Sequence, residues 1–124
     1  MKPDFRDTPR VFRGGHANQI EIKDMGKILL EPDELLTFMA DDDAEYDVTR
    51  KDWGFYATPS INGRLQSFGW RTALVKNSLG RIFVMIVQTG KEDLFEKYID
   101  EEDEVVLCWM DDPEFIEKIS QLKL

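Results

Sequence analysis

The chain has 124 residues, 16 Lys plus Arg against 25 Asp plus Glu, one His, one Cys and a formal net charge of −9. That length predicts one domain able to bury about two-thirds of its unfolded surface, and the single Cys and single His exclude an internal disulfide and a Cys/His metal site. No run of about eighteen apolar residues and no basic-then-apolar leader occurs, so a soluble, cytoplasmic protein without membrane attachment is expected.

Residues 1–19 hold Pro3, Pro9, Gly14 and Gly15 among mixed charges without periodicity, and read as a flexible N-terminal tail that includes His16. A single α+β domain is expected over residues 20–124. Ile20 and Ile22 alternate with charged neighbours as in a half-buried strand. Gly26 to Leu30 and Leu35 to Met39 read as two short strands around Glu31-Pro32-Asp33-Glu34, and Tyr46 and Val48 mark a fourth. This first half is expected to be an antiparallel meander.

The second half reads strand, strand, helix, strand, helix. Trp70 to Lys76 and Arg81 to Gln88 are apolar strands joined by the turn residues Asn77-Ser78-Leu79-Gly80. Ile82 to Val87 is apolar without interruption, which predicts a central strand covered on both faces. Residues 91–99 place Leu94, Phe95, Tyr98 and Ile99 on one helical face, with Glu92 and Asp93 in the first turn where the helix dipole favours them. Val105 to Met110 is another strand. Asp112 as N-cap and Pro113 at the first helical position open a last helix with the stripe Phe115, Ile116, Ile119 and Leu122. The expected fold is therefore α+β, a mainly antiparallel sheet with two or three short helices packed on it.

The charge is not uniform along the chain. Residues 20–49 sum to −8, residues 50–91 to +6 and residues 92–117 to −11. The basic block contains the stretch from Arg50 to Arg71, which also carries Trp53, Phe55, Tyr56, Phe68 and Trp70. Within it, Ser60 follows Thr58-Pro59 as a potential N-cap, and Ile61, Leu65 and Phe68 recur at helical spacing before Gly69, predicting a helix over 61–68. Its N-terminal amides, with the Ser60 hydroxyl, Thr58 and Arg64, would favour a phosphate or carboxylate. Arg50, Lys51 and Arg71 would add positive charge, and Trp53 or Tyr56 would stack on a sugar or base. The competing structural reading has these aromatics packing a helix on the sheet and the arginines pairing with the acidic blocks. Asn62-Gly63 weakens the helix and with it the anion site.

Catalytic templates are scarce. His16 lies in the expected tail, Cys108 sits in the apolar run Val106-Leu107-Cys108-Trp109, and no glycine loop of nucleotide-binding type occurs, so no catalytic residue, cofactor or metal site is assigned. The acids between Asp41 and Asp47, and the run Asp100 to Glu104, read as solvated connections rather than cation sites. The leading expectation is a small non-catalytic accessory or regulatory domain. It would bind a protein partner or a small anionic ligand through segment 50–71, with Arg50, Lys51, Trp53, Tyr56, Thr58, Ser60, Arg64 and Arg71 as site residues. One alternative is an enzyme or binder for a phosphorylated sugar or nucleotide at the Ser60 helix end, with Asp52 as a proton acceptor. Another is an immunity-type or nucleic-acid-mimicking protein that uses segment 92–117 against a basic partner. Nucleic acid binding is disfavoured by the overall charge.

Overall fold

The computed structural model describes residues 1–123. Among these, eight strands in three antiparallel sheets and three short α-helices make an α+β architecture. The chain gathers into two compact units, one from Met1–Phe38 and Asp47–Thr58, the other from Met39–Tyr46 and Pro59 onward.

In the first unit, strand β1 (Lys2–Gly14) pairs antiparallel with β2 (Ile20–Leu29). The residues expected to be a tail are thus the longest strand of the chain, and β2 joins into one strand the two short segments expected at 20–22 and 26–30. A strand pinned by a neighbour does not require period-two alternation, and Pro3 and Pro9 lie where edge strands tolerate the loss of an amide donor. Between Phe5 and Arg10 the register shifts. There the backbones approach closely: a Cβ on Gly26, whose φ is +128°, would sit 2.8 Å from Phe5 Cα and closer still to the Asp4 carbonyl oxygen. His16 falls in a 3-10 turn at His16–Asn18, between the two strands. Asp24 anchors this ribbon: its carboxylate accepts from the Gly26 amide and from Arg10 Nε, and these bonds hold its pKa below the usual carboxylate value.

A second sheet orders β3 (Leu35–Met39), β4 (Glu45–Lys51) and β5 (Gly54–Ala57). The acid-rich residues Asp41, Asp42 and Asp43 form the β3–β4 turn, with positive φ at the last two. Strand β5 was not anticipated; it lies inside the segment read as helix-bound aromatics.

The second unit centres on β6 (Trp70–Lys76), which has β7 (Ile82–Gln88) on one side and β8 (Val105–Trp109) on the other. Alternation along β6 feeds two clusters on opposite faces. Trp70 joins Ala44 and Leu65, with Tyr46, Ile61, Phe68 and Ile86 packed around them, while Ala73 and Val75 join Ile99, with Met85, Phe95, Val106 and Trp109. The central, doubly covered strand is therefore β6. β7, expected at the centre from its unbroken apolar run, is an edge strand with Ile82, Phe83 and Val84 exposed.

Helix α1 covers only Arg64–Ser67, with Gly63 at its N-cap, so Ser60 does not cap it; the Ser60 carbonyl accepts from Gly63 and Leu65 in the preceding turn. Helix α2 (Glu92–Glu101) buries Ile99 and half-buries Phe95, but leaves Leu94 and Tyr98 exposed. Helix α3 (Pro113–Ser120) starts at Asp112 and Pro113 as expected; Phe115, Ile116 and Ile119 are half-buried, and Leu122 lies beyond the helix, exposed. No helix among the described residues is long and apolar enough to cross a membrane.

Candidate functional site

The eight residues proposed from segment 50–71 fall on both units. Arg50, Lys51, Trp53, Tyr56 and Thr58 belong to the first, and Ser60, Arg64 and Arg71 to the second.

On the first unit, β4 and β5 form a hairpin with Lys51 opposite Gly54, Arg50 opposite Phe55 and Thr49 opposite Tyr56. The two-residue turn Asp52-Trp53 requires an unusual backbone at its exit, where Gly54 adopts φ +145°. Alternation sends Phe55 and Tyr56 to opposite faces. Trp53 is 68% exposed and stacks with Tyr56, their ring centroids 6.2 Å apart at an interplanar angle of 26°. On the other face Phe55, 60% exposed, lies beneath the Arg50 guanidinium at 5.9 Å and opens onto an apolar cavity of about 390 Å³. Phe5, Met25, Ile28, Leu36 and Phe38 line that cavity with it.

The cations beside these aromatics have partners within the unit. Arg50 Nη1 donates to the Leu30 carbonyl at 2.9 Å. Lys51 Nζ bonds the Asp33 carboxylate, which raises the lysine pKa above its ordinary value. Thr58 shares a hydroxyl hydrogen bond of 2.7 Å with Thr49 and donates its amide to the Asp47 carbonyl. Arg50 and Lys51 thus tie β4 to Leu30 and Asp33 at the β2–β3 connection, and Thr58 ties the end of β5 to β4.

On the second unit, Arg71 is the hub of an ion network. Its Nε donates to Asp111 Oδ2 at 2.9 Å, Nη1 and Nη2 lie 3.7 Å from Glu92 and Asp112, and its guanidinium carbon sits 4.0 Å above the Trp109 ring. Phe95 meets the same ring edge-on at 5.5 Å. The Asp111 bond, with the nearby carboxylates, raises the arginine pKa further above its ordinary value. Arg64 lies 5.1 Å over Phe68. A four-residue helix starting at Arg64 does not supply the oriented turn of free amides that the anion reading requires. Part of the contrast between basic centre and acidic flanks is thus cancelled by folding, at Arg71 against residues 92, 111 and 112.

The hairpin aromatics are the large exposed side chains of the predicted segment, with Ser60 and Arg64 exposed on the second unit. Two groups escaped the sequence reading. Phe55 was counted as one aromatic among several, although strict alternation past Trp53 would have separated its face from that of Tyr56. Of the cavity residues, Phe5 lies in the stretch that reads as a tail, and Met25 reaches the cavity only because β2 runs unbroken through it. Among the described residues, no cluster of three or more His, Cys, Asp or Glu side chains is placed to hold a metal ion. Comparisons with protein-family models, with curated proteins and with solved structures found no match for this chain.

Proposed function

We infer that this protein is a non-catalytic binding module that captures a protein partner on the β4–β5 hairpin of its first unit. The observation that carries the reading is the exposure of aromatics on both faces of a short hydrogen-bonded hairpin, the stacked pair Trp53 and Tyr56 on one and Phe55, at the rim of an apolar cavity, on the other. Large rigid aromatics lose little side-chain entropy on binding and dominate interface energetics, and the cavity beside Phe55 offers a pocket for an apolar side chain of the partner. A protein partner is favoured over a small anionic ligand because Arg50, Lys51 and Arg71 are engaged within the fold, while Arg64 lies over Phe68 on a helix too short to supply oriented free amides.

The test is quantitative capture from the source proteome on immobilised wild-type protein and on Trp53→Ala and Phe55→Ala variants, read by mass spectrometry. The expected result is a defined protein whose recovery falls by about tenfold or more with either substitution, as loss of an interface anchor requires. Recovery that is the same for wild type and both variants would overturn the reading. Because Trp53 is exposed, Trp53→Ala is expected to change folding stability by no more than about 0.5 kcal/mol, so lost capture cannot be ascribed to unfolding.

A further inference from the structure

We propose that strand β7 is completed by β7 of a second copy of this chain, the two pairing antiparallel about a two-fold axis at Val84 to give one continuous six-stranded sheet. This surface lies on the second unit and does not depend on the partner reading above.

The bonds from the Asn77 amide to the Arg81 carbonyl and from the Thr89 amide to the Gly69 carbonyl fix which residues of β7 face β6. With the register Val75 to Phe83, Ala73 to Met85 and Arg71 to Val87, the odd-numbered residues of β7 direct their backbone groups to β6. Ile82, Val84 and Ile86 therefore turn amide and carbonyl outward, along an edge that has no further strand among the described residues.

Natural edge strands are shielded by charge, proline, bulges or shortness. β7 has none of these protections: its seven residues, Ile82 to Gln88, carry no charge, no proline and no register break, and Val84 is 66% exposed. Its sequence is that of a strand with neighbours on both sides, and a second copy would supply the missing one.

Three features select a second copy as the occupant. First, antiparallel pairing of a strand with itself is isologous and closes at two chains. In the register centred on Val84, Val84 meets Val84, Ile82 meets Ile86 and Phe83 meets Met85, apolar pairs throughout. Second, charge is complementary. Arg81 is exposed and shares the face of Met85, which packs, as Phe95 of α2 does, against the cluster that holds Ile99 of α2. The same register carries Arg81 to the Val87 end of the other copy's strand, from which α2 starts with Glu92 and Asp93. Third, the opposite edge of this sheet is closed to the same arrangement. β8 is flanked by Asp100 to Glu104 at one end and by Asp111 and Asp112 at the other, so self-pairing there would set acid against acid.

Sedimentation velocity of the full chain from about 1 to about 100 µM, the range where such contacts populate, should show a species of twice the 14.5 kDa chain mass. Val84→Lys places two ammonium groups opposite each other at the axis and should weaken the dimer by about 100-fold or more, with an unchanged far-UV circular dichroism spectrum. Where Val84→Lys perturbs folding, cross-linking decides. Paired Cα atoms at a hydrogen-bonded site lie about 5.5 Å apart, within disulfide reach, so Val84→Cys on a Cys108→Ser background should oxidise to a covalent dimer, whereas Leu107→Cys on β8 should not. A wild-type chain that stays monomeric throughout the range, a dimer indifferent to Val84→Lys, or equal cross-linking at Val84 and Leu107 would each overturn the proposal.

Discussion

Replacing Arg71 by Met tests whether the acidic flanks are truly used by the fold. Met preserves the stem that covers Trp109 and removes the guanidinium. The charged hydrogen bond to Asp111, 2.9 Å long and between side chains that are 26% and 10% exposed, is of the kind worth about 1.5–3 kcal/mol, and the stacked charge over Trp109 adds about 1 kcal/mol. The longer contacts to Glu92 and Asp112 add little, since surface ion pairs are screened. Discounting for the partial exposure of Arg71, Arg71→Met should cost about 2–3 kcal/mol, a fall in Tm of about 10 °C for a domain of this size. Urea unfolding followed by tryptophan fluorescence is a direct readout, because Trp109 lies under the missing group. Asp111→Asn, alone and combined with Arg71→Met, completes a double-mutant cycle with an expected coupling of about 1.5 kcal/mol or more. A single substitution within about 0.5 kcal/mol of wild type, or strictly additive effects, would refute the view that this pairing organises the second unit.

Other outcomes follow from the same physical reasoning. Gly26→Ala should destabilise by about 2–4 kcal/mol, since the added Cβ meets the Asp4 and Phe5 backbone at a left-handed φ; urea titration would show it, and a neutral result would mean that the β1–β2 ribbon can part there. Burial and the neighbouring Glu102 raise the pKa of Glu104, and its Oε1 is shielded without a hydrogen bond. A raised folded pKa gives a stabilising contribution that is full below the unfolded value and lost as pH rises through the folded one. Glu104→Gln should therefore raise Tm at pH 7, with the gain shrinking as pH falls toward the ordinary glutamate pKa of 4.5; a gain that is constant with pH would exclude this origin. Leu65→Ala, in a side chain 1% exposed between Trp70 and Ala44, should cost about 2–5 kcal/mol in the same unfolding assay.

Where a local rule suffices, the sequence was legible. The turn chemistry of Asn77 to Gly80 set the β6–β7 hairpin, and the Asn77 carboxamide accepts from the Leu79 and Arg81 amides to close it. Asp112-Pro113 set the start of α3, although the Asp112 carboxylate faces Arg71 instead of capping the helix. The site was legible in part: Trp53 and Tyr56 stand together and exposed, but Arg64 belongs to the other unit and Ser60 caps nothing. Spacing along the chain carries no information on which strand pair a residue joins, and the pattern of Ile61, Leu65 and Phe68 yields only the single helical turn Arg64–Ser67, because residues 61–63 form a turn.

By itself the sequence determined that the protein is α+β, that its second half runs strand, strand, helix, strand, helix, and that its basic residues concentrate between two acidic blocks. Those properties depend on neighbours a few residues apart, where capping, turn propensity and periodicity act. Only the tertiary structure decided that residues 2–14 form a strand, that β6 and not β7 is the central strand, and that Arg71 spends its charge on residues 21 to 41 positions away. Each of those outcomes is a pairing between distant segments, and hydrophobic runs of equal quality can fill an edge or a centre until the fold supplies the neighbour.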